Sequence, residues 1–241
     1  MQHKPLILAL LAGLSLSGAA QATLIDRGGG LIYDNTLNVT WLQNANLAAT
    51  DTFGVSGILP DGTMTWNTAI QWIGAMNTAD YLGYSNWRLP TTAPINGSAF
   101  NYSYSYNGTT DHGYNISAPG TAYAGATGSE MAYLFFNELG NKAFYDTSGN
   151  PYQAGYGVTN AGPFKNLQSN GYWSDAEYAP DTSVAWGFYT DSGFQGYNGK
   201  TGSIYALAVR PGDVAAVPLP GAAWLLGSGL LGLIGLARRR G

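Results

Sequence analysis

Two apolar segments near the ends of the chain decide how much of it is left to fold as a globule. The first, Leu6 to Ala20, follows the basic start Met1 to Lys4 and closes on Ala20-Gln21-Ala22. That is the small-residue pattern a signal peptidase cuts, which predicts cleavage before Thr23. The second, Gly221 to Ala237, carries no charge and reaches the short end of the roughly 17–25 residues that span a hydrocarbon core. Arg238, Arg239 and Arg240 follow at once, and basic residues stay on the cytoplasmic side. The chain therefore reads as a signal peptide over 1–22, an extracytoplasmic domain over 23–213 and a tail over 214–241 with a transmembrane helix at 221–237.

The middle stretch is long enough for one good core and too short for two, so a single domain is expected. Of the 10 basic residues, Lys4 and Arg238 to Arg240 lie outside it, whereas all 14 acidic ones lie inside; 6 against 14 leaves a formal charge of −8. Such a surface repels phosphate backbones and argues against a nucleic-acid partner. With Cys 0, no disulfide staples the fold, and thiol chemistry and thiolate metal sites are excluded. Gly 34, Tyr 17 and Trp 7 beside so few charges point to a loop-rich fold held by aromatic anchors.

Leu31-Ile32-Tyr33 and Val39-Thr40-Trp41-Leu42 flank turn formers from Asp34 to Asn38, which predicts a β-hairpin. Thr65 caps a helix whose apolar stripe is Trp66, Ala69, Ile70, Ile73 and Met76 or Asn77, ending near Leu82-Gly83. A second amphipathic helix runs from Ser129 as cap to Leu139, with Met131, Leu134, Phe135 and Leu139 on one side and Gly140 as its stop. Between the helices, residues 95–128 are almost wholly small, polar or Tyr, alternating polar and aromatic from Asn101 to Tyr106. This stretch reads as a long surface insertion with room for a hairpin, and loops of that length tend to be functional or disordered. In the last third, Val184, Trp186 and Phe188 share a face, Thr190 to Gly193 make a turn, and Ile204 to Val209 reads as a central strand because it is apolar on both faces.

The tail's Val217-Pro218-Leu219-Pro220, its Trp-containing apolar span and its arginine cluster together resemble the PEP-CTERM sorting signal, with Leu219 where that signal has a glutamate. The resemblance implies an exosortase that removes the tail and releases or re-anchors the protein at the cell surface, commonly in bacteria that make exopolysaccharide. The remainder resembles the Lcl C-terminal domain family through Asp34 and Trp41, Trp87-Arg88-Leu89-Pro90, Glu130, Tyr172-Trp173-Ser174 and Val209-Arg210, in that order. That family is similar to the C-type-lectin-like fold, which implies an α+β domain with two helices and a curled antiparallel sheet. Members of so broad a fold serve chiefly as binding platforms, and fold alone does not fix function.

Tyr102, Tyr104 and Tyr106, with Trp173 and the acids Asp175, Glu177 and Asp181, are the candidate ligand-binding residues, because flat rings and loop oxygens suit sugars. Trp186 falls on a core face by alternation. The planar fork of Arg88, set between Trp87 and Leu89-Pro90, suits a structural role. Asp175, Glu177 and Asp181 offer hard oxygens for calcium but lack the dense Gly-punctuated spacing of a calcium loop, so no cofactor is expected. Outside the signal segment the only histidine is His112, which leaves a catalytic triad or a histidine metal cage without material. Glu130, Glu138 and Glu177 are the carboxylates a glycosidase would need. The expectation is a non-enzymatic surface or matrix protein that binds exopolysaccharide. A self-assembling structural component and a glycoside hydrolase are the rivals.

Overall fold

The computed structural model describes residues 24–214. The signal segment with Ala20, Ala22 and Thr23, and the sorting tail with its Val217 to Pro220 motif, apolar span and arginines, lie outside the described residues. Among the described residues no helix is long and apolar enough to cross a membrane.

The chain opens with β1 (Leu24–Gly28), β2 (Leu31–Asp34) and β3 (Val39–Leu42), an antiparallel meander whose open edge is taken by the last strand, β9 (Val209–Pro211). The predicted hairpin is β2–β3. Asp34 makes it: its Oδ1 accepts the backbone N–H groups of Thr36 (3.0 Å) and Leu37 (2.9 Å), an Asx turn, and Asn38 takes the left-handed conformation that closes the loop. The second sheet has the order β4 (Tyr104–Ser105), β5 (His112–Tyr114), β8 (Phe194–Gly199), β7 (Val184–Tyr189), β6 (Gly171–Glu177). It is antiparallel except at β4–β5, which is parallel, so the single curled antiparallel sheet implied by the lectin-like resemblance is instead two sheets, one of them mixed.

Helix α1 (Trp66–Thr78) starts where Thr65 accepts from the N–H of Thr68, as expected of that cap. Its buried stripe is Ala69, Trp72, Ile73 and Met76, an i, i+3, i+4, i+7 set. Ile70 lies to one side of that stripe and is 42% exposed, so it does not belong to the core as the sequence reading had it. The second helix begins as α2 (Glu130–Tyr133), capped by Ser129, and widens into one π-helical turn at Leu134–Glu138. It is not amphipathic: Glu130 to Phe136 are buried without a break, and Phe135 and Phe136 pack against Phe188 of β7. Gly140 ends it at φ +65°, a conformation a side chain would strain.

Two further expectations change. Residues 95–128 are not a surface loop laid over a finished domain. They supply β4 and β5, bury Ile95, Ile116 and Ala118 in the core, and carry the fully buried Asp111. The carboxylate of Asp111 accepts from the N–H of Ile95 (2.8 Å) and of Asn101 (2.7 Å), which folds the segment back on itself. Gly113 permits the close parallel approach, because a Cβ there would fall on the Ser105 carbonyl oxygen. Ile204 to Val209 is buried throughout as expected, yet it is a bridging segment and not a central strand. It exchanges backbone bonds with Met64, then with Gly171 and Trp173 of β6, then accepts at the Ala208 carbonyl from the N–H of Leu42 in β3, and finally pairs Val209 with Arg88.

Around this segment Trp41, Trp72, Trp173 and Tyr172 are fully buried. Rings of this size remove about 150–250 Å2 each from water, which at about 25 cal/mol per Å2 makes them the main source of cohesion in a chain without cysteine.

Candidate ligand-binding face

The Trp-Arg-Leu-Pro motif is a structural lock. Trp87 is pinned from both sides, its backbone by the side-chain amide of Asn77 (2.7 and 2.9 Å) and its indole N–H by the Tyr81 carbonyl (3.1 Å). Arg88 reaches α2 with a two-pronged pair to Glu130 (2.7 and 2.6 Å) and gives a third bond to the Leu89 carbonyl (3.0 Å). Glu130 also accepts the Thr91 N–H at 2.8 Å, which fixes the turn through Pro90. Desolvation lowers the Arg88 pKa, but bonding to Glu130 more than offsets it and holds the guanidinium above its ordinary value.

Aromatic rings outside the main core form a connected band of ring contacts that runs over both faces of the five-stranded sheet. Alternation along paired strands sorts them. Trp186 stands opposite Tyr197 on one face, where Phe100 and Tyr102 stack over the indole at 5.5 and 6.3 Å and Tyr178 lies 4.2 Å from Tyr197. On the other face Phe194 is paired with Tyr114 and Tyr189. Against Tyr114 pack Tyr104 (6.3 Å), Tyr106 (6.1 Å) and Tyr145 (4.8 Å), and Phe144 continues the row to Tyr152 (4.6 Å) and Tyr156 (4.9 Å). His112 joins the two patches, 5.1 Å from Tyr197 and 5.6 Å from Phe194.

Much of this band meets solvent: Tyr152 is 74% exposed, Tyr104 47%, Tyr197 41%, Tyr156 40% and Tyr106 37%. The buried members are the foundation, and the exposed ones present flat faces and phenolic O–H groups. Burial pushes the His112 imidazole down, so it is neutral at physiological pH, and pushes the Tyr104 and Tyr114 phenols up, so they stay protonated. The face is therefore apolar and hydrogen-bonding without being charged by these groups.

Of the residues singled out from sequence, Tyr102, Tyr104 and Tyr106 lie in this band. Trp173 does not: it is fully buried and its indole N–H donates to the Met64 carbonyl at 2.8 Å, so it is a core residue out of reach of a ligand. Asp175 accepts from Thr91 Oγ1 (3.0 Å) and the Thr92 N–H (3.4 Å), and burial raises its carboxyl. Glu177 pairs with Lys200, and Asp181 closes its own turn by accepting from the N–H and hydroxyl of Ser183 (2.9 and 2.7 Å), bonds that lower its carboxyl. The three acids thus serve three local tasks. Among the described residues no group of three or more His, Asp or Glu side chains is arranged to hold a metal ion.

Among the described residues Glu138 differs from Glu130 and Glu177 in having no cationic partner. Its two carboxyl oxygens are buried without a hydrogen-bond donor, and burial, then the nearby Asp34 carboxylate, raise it to about 7. Asp34 is itself fully buried and raised by that burial, although bonds from Leu37, Trp41 and Thr36 pull the other way. This pair sits at the hairpin turn, away from the aromatic band.

Sequence reasoning missed Phe100, Tyr145, Tyr152, Tyr156, Tyr178 and Tyr197. The one available signal was the tyrosine count itself, too many rings for the core of one small domain.

The family model described as the Lcl C-terminal domain matches residues 30–210 of this chain. No curated protein and no solved structure matches it.

Proposed function

The chain belongs to the Lcl C-terminal domain family, and on that premise we propose that it is an exported, non-enzymatic surface or matrix protein that binds extracellular polysaccharide along its tyrosine band. The observation that carries this reading is the exposure of five tyrosines in one connected network of ring contacts, which reaches both faces of the sheet. Sugar rings offer C–H faces to such surfaces and hydroxyls to phenols and amides, without any need for charge. A C-type-lectin-like architecture is part of the same proposal, supported by two helices set against antiparallel hairpins. The non-enzymatic reading is supported by the glutamates, of which Glu130 and Glu177 are tied to cations and Glu138 is closed in against Asp34.

Export by the N-terminal signal and sorting by the Pro-Leu-Pro tail complete the proposal, with signal peptidase and exosortase as processing partners. The deciding experiment is co-sedimentation of the purified chain with the host's exopolysaccharide, beside a Tyr104→Ala, Tyr106→Ala, Tyr197→Ala variant. Saturable binding that the variant loses supports the band as the site. Equal binding by both removes the band from the argument, and no binding by either ends the polysaccharide reading.

A second reading, self-assembly, is favoured by one feature: β4 is the uncovered edge of its sheet and carries Tyr104. Sedimentation velocity that shifts with concentration, and stops shifting in Tyr104→Lys, would bring it forward.

A further inference from the structure

A cavity of about 340 Å3 lies beside the tyrosine band, bounded by Asn115, Phe136, Asn141, Lys142, Asp146 and Gln153 among others. That volume is at the small end of the roughly 300–1,000 Å3 of ligand pockets and suits one sugar ring with its substituents. The cavity and the band share their framework. Asn115 donates to the backbone carbonyls of Tyr106 (2.7 Å) and Tyr145 (2.9 Å), and Gln153 donates to those of Ala143 (3.0 Å) and Tyr145 (2.7 Å). Lys142 is bridged through its backbone to Tyr156 and Gly157.

The lining has three chemically distinct parts. Its floor is apolar, made of Ala118, Phe136 and Ala143, all buried. Its wall holds two amide oxygens, Asn115 Oδ1 and Gln153 Oε1; both side chains use their NH2 groups on the protein, and among the described residues no donor meets either oxygen. Asn115 is only 5% exposed and lines the cavity, with its NH2 group already committed to the protein. On the rim stands Lys142, which forms no ion pair among the described residues and is a free donor. Asp146 also lines the cavity, with its carboxylate accepting from the Ser148 N–H and from the Asn150 N–H and side-chain amide.

An apolar floor, an acceptor on the wall and a donor at the rim are the complement of an acetamido group, with its methyl, its N–H and its carbonyl. We infer that this cavity is a subsite for an N-acetylated amino sugar, which sets the register of a glycan lying across Tyr152 and Tyr156. The inference rests on the polysaccharide-binding reading and names the sugar class it selects. A neutral sugar without the amide offers the Asn115 oxygen no N–H in place of water, and sites that hydrogen-bond such a group discriminate against analogues that lack it.

The test uses the full chain with di-N-acetylchitobiose and cellobiose, followed by saturation-transfer NMR and by titration calorimetry. Chitobiose is expected to bind at least about tenfold more tightly than cellobiose, with the strongest saturation on its acetyl methyl protons. Thr147 is exposed on the rim turn, so Thr147→Tyr fills the mouth without touching the core, and it is expected to abolish that preference. Equal affinity for the two sugars, or acetyl protons that receive no more saturation than ring protons, overturns the inference whatever the variant does. Polymer binding that depends on Tyr104, Tyr106 and Tyr197 but shows no acetamido preference would sink this subsite alone. Absence of polymer binding, with chitobiose still held in preference to cellobiose, would end the polysaccharide reading and leave the subsite standing.

Discussion

Glu138 and Asp34 show how much a single carboxyl can bias a fold. Their raised pKa values mean that the folded chain holds protons that the unfolded chain gives up. The stabilising contribution of Glu138 is therefore fully present below its ordinary carboxyl range and is lost as pH rises through about 7. Thermal melts should fall between pH 5 and pH 8, and Glu138→Gln, which imitates the protonated form, should flatten that fall. The difference at pH 8 is expected to be on the order of 1 kcal/mol after allowance for solvent screening, or about 2–4 °C. A variant with the same pH slope as the parent would remove Glu138 from this role. Arg88 is the other residue with a predictable cost. Arg88→Ala leaves Glu130, 9% exposed, without its cation and should lose about 3 kcal/mol in urea unfolding, whereas Arg88→Lys recovers little because an ammonium cannot make the two-pronged contact.

Elements were legible where the signal was local. Asp34 and Asn38 set the first hairpin within five residues, and Thr65 and Ser129 cap the helices they precede. They were illegible where partners are distant. The alternation from Asn101 to Tyr106 gave no hint that its rings would settle on Trp186, Phe194 and Tyr145, residues from three other segments. The π-helical turn and the buried run Ile204 to Val209 were misread for a related reason, since apolar continuity reports burial and not the backbone geometry that achieves it. A consequence at this scale concerns Trp186, fully buried beneath Phe100 and Tyr102. Excision of residues 96–128 should shift tryptophan emission to the red and lower stability, which makes point substitutions in the band the cleaner probe of binding. An unchanged spectrum would show that the segment is a cover the sheet can do without.

At the scale of the whole molecule, the −8 charge of the middle stretch and an aromatic face lead to opposite expectations for salt. Binding carried by ring stacking should change little between about 0.1 M and 1 M salt, whereas binding carried by ion pairs would weaken steeply. The two ends of the described chain meet: Arg27 pairs with Asp213, and Gly212 donates to Asn38. The first sheet is complete only when β9 joins it, and the second is sealed only when Ile204 and Tyr205 reach Met64 and β6. Closure of so many contacts waits on residues near the C-terminal end of the described chain. A chain cut short before Ile204 lacks both closures and is expected to show no cooperative thermal melt.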